Sequence, residues 1–227
     1  MSGYLYCIDN DIIKKLATFD LFDDTFKLFG VQPQQIRILS TAKYKFRKNQ
    51  KQVKAGKSRK IQDNLTDYGK TLEIVESLPT IDISDISEID SKVFESLSQI
   101  EGIEQGEAIL TSYVVHLLQQ STGSEAFILT GDKVFLRALA TLNNLGLQTV
   151  LNNRIWCLEQ LVLMNIKVYG FEAVCNKIEP VRECDVAIKA VFGSGAQSTP
   201  NNALATLQSY IDELRAETGS LLHLYSD

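Results

Sequence analysis

The residues best suited to chemistry in this chain are carboxylates. Asp9 closes the apolar run Tyr4-Leu5-Tyr6-Cys7-Ile8, and Asp132 follows the apolar run Ala126-Phe127-Ile128-Leu129. Between them in the chain, Glu101, Glu104 and Glu107 recur at every third position, which places them near one face of a helix. Carboxylates gathered without cations repel one another and raise one another's pKa values. A Mg2+ or Mn2+ ion removes that cost, since hard cations choose oxygen ligands. A metal so held can activate a water and stabilise phosphate oxygens during in-line attack. Each acid also has a plainer reading. Asp9 and Asp132 suit helix N-caps, and Glu101 and Glu104 suit a helix N-terminus through its dipole, the preferred reading for Glu101.

A second constellation has the opposite sign. Lys43, Lys45, Arg47, Lys48, Lys51, Lys54, Lys57, Arg59 and Lys60 fall between positions 43 and 60, with no acid among them. The whole chain carries a net charge of −5, so it is not a general polycation. Such a block can track a phosphate backbone by releasing condensed counterions. Tyr44 and Phe46 lie inside it and offer rings for base stacking. Two alternatives stand beside nucleic-acid binding. The segment can be a solvated loop around Ala55-Gly56-Lys57-Ser58, or it can pair with the acidic run 82–90 of the same chain.

The elements that must position these residues alternate. Tyr4–Ile8 reads as a buried strand, followed by a helix from Ile12 and a second short helix ending by Gly30. Gln35–Leu39 reads as the next strand, with Ser40 or Thr41 capping a helix that carries the basic block. Residues 61–78 read as helical up to Pro79. Ile81–Ile86 alternates apolar and polar residues, which suits an edge strand or a turn. Helices are expected over Ser91–Ile100 and Ile103–Gln120, where Gly106 permits close approach to a sheet. A strand follows at Ala126–Leu129, then a helix over Lys133–Asn143, a strand at Leu147–Leu151 and a helix over Trp156–Met164. This order predicts an α/β fold with a parallel sheet and helices on both faces. Ligands of such sheets bind beyond the carboxyl ends of the strands, where Asp9 and Asp132 fall. From Phe171 the pattern changes. Val181–Val191 suits either strand or helix, Phe192–Pro200 reads as a flexible linker, and a helix is expected over Asn202–Glu217. That tail is expected to pack on the main domain or on another subunit.

Apolar residues make up 44% of the 227 and charged residues 22%, which excludes a disordered, collagen-like or coiled-coil chain. No apolar run approaches the roughly 18–20 residues that cross a bilayer, and Met1-Ser2-Gly3-Tyr4 does not read as a signal peptide. The four cysteines have no zinc-like spacing and read as reduced cytoplasmic thiols. Two distant histidines, His116 and His223, argue against a His-rich metal site or a Ser-His-Asp triad. His116 and Trp156 read as packing residues. Lys133 and Arg137 read as phosphate contacts or as an exposed helix face.

Tyr6-Cys7-Ile8-Asp9, Glu104-Gln105-Gly106-Glu107-Ala108 and Ile128-Leu129-Thr130-Gly131-Asp132-Lys133, in that order, resemble the motifs of PIN-domain nucleases. They resemble especially the branch with an acid-x-x-Gly-Glu-Ala helix. Arg137-Ala138 and Leu145-Gly146-Leu147 extend the resemblance, which spans about residues 4–165 and excludes the tail. It implies a PIN-like domain over 1–168 with a C-terminal extension over 169–227. The implied activity is a metal-dependent endoribonuclease using Mg2+ or Mn2+, of the kind found among toxins and RNA-processing or defence factors. Asp9, Glu107 and Asp132 would then be the metal acids, Glu104 an added ligand or water-orienting group, and Asp11 an outside candidate. RNA is the expected partner, gripped by the basic block, and the tail offers a surface for a protein partner or a second copy. Two departures are visible. The helix after the second strand reads Thr41-Ala42-Lys43-Tyr44-Lys45-Phe46, where many PIN nucleases carry an acid, and Gly131 stands where this branch often has a second acid. They leave open an alternative, a catalytically weak PIN-like module that binds RNA or protein.

Overall fold

The computed structural model describes residues 4–58, 61–85, 88–120, 125–142, 146–193, 195 and 198–225. The first half comprises β1 (Tyr4–Ile8), α1 (Asn10–Thr18), α2 (Phe22–Phe29), β2 (Ile36–Leu39), α3 (Ala42–Lys54), α4 (Ile61–Leu65), α5 (Tyr68–Ser77), β3 (Thr80–Ile81) and α6 (Glu88–Ser98). The second comprises α7 (Gln105–Gln119), β4 (Glu125–Thr130), α8 (Lys133–Ala140), α9 (Leu147–Val150), β5 (Ile155–Cys157), α10 (Leu158–Tyr169), α11 (Phe171–Ile178), α12 (Val186–Phe192) and α13 (Pro200–Thr218). The strands form one sheet in the order β3-β2-β1-β4-β5, and every pairing is parallel.

Successive strand side chains point to opposite faces. Tyr6, Cys7 and Ile8 are all buried, as are Ile128, Leu129 and Thr130. Both faces of the central strands are therefore covered, the arrangement that parallel sheets require. The result is a three-layer α/β architecture. Its centre is aromatic: Tyr6 stacks on Phe29 and Phe127 with centroids 4.6 and 5.2 Å apart.

Three expectations change. Leu147–Leu151 is not a strand. Gly146, at φ 63°, opens the short helix α9, which buries Leu147 one turn before the buried Leu151 at its C-cap. The sheet position goes instead to Ile155-Trp156-Cys157, although a helix was expected to begin at Trp156. All three side chains are buried, and Trp156 stacks on His223 at 4.2 Å. The run from Ile81 forms only a two-residue edge strand. Beyond it Asp85 Oδ2 accepts the Asp82 N–H at 2.8 Å and bends the chain into a 3-10 turn at Ile83–Asp85, while Ile86 lies outside the described residues. The helical stretch 61–78 is broken at Asp67, which caps α5 by accepting the Lys70 N–H at 2.9 Å.

Past α10 the chain is helical, including Val186–Phe192, and Ser194, Ala196 and Gln197 of the linker lie outside the described residues. The last helix, α13, packs on α8, α10 and α12 through buried Leu207, Ile211 and Leu214. After it the chain reaches the sheet, where the Ile155 N–H donates to the Leu221 carbonyl at 3.1 Å and Leu222 bridges parallel to Ile155. Among the described residues no helix is long and apolar enough to cross a membrane.

Candidate acidic site

The sheet brings the two aspartates together. β1 and β4 are adjacent, with Ile8 beside Leu129, and the Asp9 N–H donates to the Leu129 carbonyl at 2.9 Å. Asp9 and Asp132 thus leave neighbouring strands at the same end of the sheet. Helix α7 adds Glu107. It approaches closely because position 106 is glycine: a Cβ there would lie 2.7 Å from Leu39 Cδ1, at the end of β2. Asp9, Glu104, Glu107 and Asp132 line one cleft of about 430 Å3, together with Lys45 and Asn49 of α3.

The helix-capping reading of Asp9 and Asp132 holds. Asp9 caps α1, accepting the Asp11 N–H at 3.2 Å. Asp132 caps α8, its Oδ1 accepting the N–H groups of Val134 at 2.7 Å and Phe135 at 3.0 Å. Glu107 Oε2 accepts the Glu104 N–H at 2.8 Å. These bonds fix the carboxylates on rigid helix starts, and a carboxylate has acceptor capacity beyond one cap. Glu101 departs from the expected shared helix face. It lies exposed in the turn before α7 and does not line the cleft.

Crowding and burial govern the titration. Glu107 is only 6% exposed. Burial raises its pKa to about 8; the Glu104 N–H opposes the rise, and the charges of Asp132, Asp9 and Glu104 add to it. Asp9 is raised to about 6, first by burial and then by Asp11, against the pull of two backbone N–H groups and the Lys45 ammonium. Asp11 behaves differently. Burial would raise it, yet Lys15 and Lys14 outweigh burial and hold its carboxyl below the usual range.

Asp11 is therefore a paired structural acid. It bonds Lys15, and Lys14 at 3.1 Å, while Lys15 also bonds Asp185 of the tail at 2.7 Å. A Cβ at position 131 would lie 2.9 Å from Asp11 Oδ2 and 3.3 Å from Lys15 Nζ. A side chain at position 131 would have to displace that ion pair. Sequence reasoning missed Lys15 and Asp185; the available signal was a lysine between Ile12, Ile13 and Leu16 on the apolar side of α1. A second cleft, of about 590 Å3, shares Asp11 and Lys14 with the acidic one and has Asp185 and Tyr210 of the tail in its wall.

The donor set suits a hard divalent cation in kind. It is made of carboxylate oxygens, and the repulsion that disfavours ionised Glu107 is the cost a cation offsets. Asn10 also lines the cleft; it is 6% exposed, and its Oδ1 has no hydrogen-bond partner among the described residues. A buried orphan oxygen calls for an ion or a water. No ready-made cage exists, however: among the described residues, no group of three or more His, Cys, Asp and Glu side chains is placed to hold a metal ion.

The basic segment divides. Lys45 faces the acidic cleft. Lys43 and Arg47 reach Glu76 of α5 at 3.8 and 2.7 Å; of the acidic run 82–90, the side chains of 86–90 lie outside the described residues. Lys48, Lys51, Lys54 and Lys57 are exposed, and Arg59 and Lys60 lie outside the described residues. Phe46 is buried against Tyr68, with centroids 6.5 Å apart, so it offers no ring to a base; Tyr44 does. Lys133 and Arg137 are held by acids, at 2.7 Å from Glu159 and 2.8 Å from Glu217. His116 is partly buried and bonds Gln120, and all four cysteines are buried and outside any disulfide.

Compared with known protein families, curated proteins and solved structures, the chain matches none.

Proposed function

We propose that this chain is a PIN-like, metal-dependent ribonuclease that hydrolyses RNA phosphodiester bonds, acting as an endonuclease. One observation carries the reading: Asp9, Glu104, Glu107 and Asp132, with the ion-paired Asp11 beside them, come from three separate segments to line one cleft at the carboxyl end of a parallel sheet. Asp9, Glu107 and Asp132 would hold Mg2+ or Mn2+, which when bound supplies charge neutralisation and an acidified water. The protein's own groups do the remaining work. Exposed Glu104, at the mouth of the cleft, accepts the proton of the attacking water. Lys45 offers its ammonium to a phosphate oxygen, and the exposed lysines of α3 hold the flanking backbone. Helix capping keeps Asp9 and Asp132 from swinging away, so little is spent on orientation during the reaction.

A second reading, a PIN-like module that binds RNA or protein with little catalysis, is favoured by a specific observation. Lys45 stands in the acidic cleft on the helix where many PIN nucleases carry an acid, and no three-carboxylate cage is formed among the described residues. The experiment that separates them is RNA cleavage by the purified chain with Mn2+ or Mg2+. The nuclease reading expects cleavage that stops with EDTA and is lost in both Asp9→Asn and Asp132→Asn. Cleavage surviving both substitutions, or no cleavage with no Mn2+ bound at millimolar concentration, would reject it.

A further inference from the structure

We infer that the outer stripe of α3 is a subsite for single-stranded RNA, with Tyr44 as the platform on which an unpaired base stacks. The inference rests on the ribonuclease or RNA-binding reading above and names the form of its substrate.

Helix α3 presents two adjacent stripes. Thr41, Lys45 and Asn49 recur every four residues and face the acidic cleft. Tyr44, Lys48, Lys51 and Ala55 follow the three-and-four spacing of the neighbouring stripe and, with Arg47 and Lys57, line a concavity of about 650 Å3. One helix therefore borders both the proposed chemistry and a cationic groove, and Lys48 sits on the side of the groove nearer Lys45. A strand held in the groove needs only to pass over α3 to place a phosphate at the acids.

Tyr44 differs from the other aromatic residue of the helix. Phe46 is 2% exposed and belongs to the core, whereas Tyr44 is 73% exposed among cations. Its ring is not needed to fill the core, so its replacement leaves the fold alone. Among the described residues Lys48, Lys51 and Lys57 have no acidic partner, and only Arg47 of the groove is engaged, by Glu76. Unpaired cations beside an open aromatic face complement a polyanion whose bases are free to splay. In a duplex the bases are stacked on one another and cannot reach the ring. An acidic polypeptide would match the charge but would leave the ring unused.

The test measures binding by the full chain in EDTA, where cleavage cannot interfere, to a labelled single-stranded RNA carrying 2-aminopurine and to its duplex. Tyr44→Ala should weaken single-strand binding about ten-fold and restore 2-aminopurine fluorescence, while Tyr44→Phe should stay close to the parent. Duplex affinity should not change. The salt slope of Tyr44→Ala should equal the parent's, because no charge is removed. Unchanged single-strand affinity in Tyr44→Ala would overturn the subsite. So would equal losses for duplex and single strand, or competition by polyglutamate as strong as by RNA. If Tyr44→Ala binds normally while Asp9→Asn and Asp132→Asn abolish cleavage, the nuclease reading survives and the subsite falls. If Tyr44→Ala loses affinity while no RNA is cut with any metal, the subsite stands and the chain is the binding module.

Discussion

The acidic cleft and the basic stripe of α3 lie side by side and are built in opposite ways. The cleft draws Asp9, Glu104, Glu107 and Asp132 from three distant segments, crowds like charges and buries Glu107. The stripe comes from one continuous helix, and its lysines are exposed. Burial, reinforced by the charges of its neighbours, makes Glu107 costly to ionise and raises it to about 8, whereas the lysines of the stripe stand in solvent as simple counter-charges. A site assembled across the fold stores electrostatic repulsion that a ligand can release; a local charged face stores little.

The largest expected effect breaks the cleft as a reaction centre. Asp132→Asn should lower metal-dependent RNA cleavage by at least about 100-fold while RNA affinity in EDTA stays close to the parent's. A parallel loss of affinity would show that the acids and the stripe do not divide the work.

The next tests stored repulsion through stability. Glu107 moves from an ordinary 4.5 to about 8, so the folded chain holds this proton more tightly than the unfolded chain does. This contribution is fully present below pH 4.5 and is lost as pH rises toward 8. Without divalent ions, Glu107→Gln should therefore stabilise the fold at pH 8.5 by roughly 2–4 kcal/mol and have little effect at pH 4. Chemical denaturation at the two pH values checks this. Mn2+ should raise the melting temperature of the parent and leave that of Asp132→Asn nearly unmoved.

Reversing Lys48, Lys51 and Lys54 to glutamate addresses the stripe. RNA affinity should fall by about 10- to 100-fold at low salt and the dependence of log affinity on log salt should flatten, with no change in stability beyond roughly 0.5 kcal/mol. An unchanged slope would return the segment to a solvated surface. The smallest effect belongs to Glu101. Exposed and outside the cleft, it should tolerate Glu101→Gln with cleavage within about two-fold of the parent.

Much of this molecule was legible in its sequence because the relevant signals are local. The apolar runs of β1 and β4, the acids that end them, the glycine that lets α7 approach, and the block of cations on α3 each occupy a few consecutive residues. What failed was also local in form but decided at a distance. Leu147–Leu151 has a strand's composition, yet the sheet edge accepted Ile155-Trp156-Cys157, because that segment pairs with β4 on one side and with the chain after α13 on the other. Tyr44 and Phe46 were equivalent rings in the sequence; only packing against α5 buried one and left the other open.

The sequence by itself determined the class of fold, the order of acids along the chain and the sign of each charged region, since periodicity and composition depend on neighbours in the chain. Tertiary structure alone decided which charges meet. It gave Asp11 to Lys14 and Lys15, and set that ion pair against Gly131. It brought Asp185 of the tail to Lys15, and placed Lys45 where Asp9 feels its charge. Coulomb energy depends on separation in space and on burial, and neither can be read from distance along the chain.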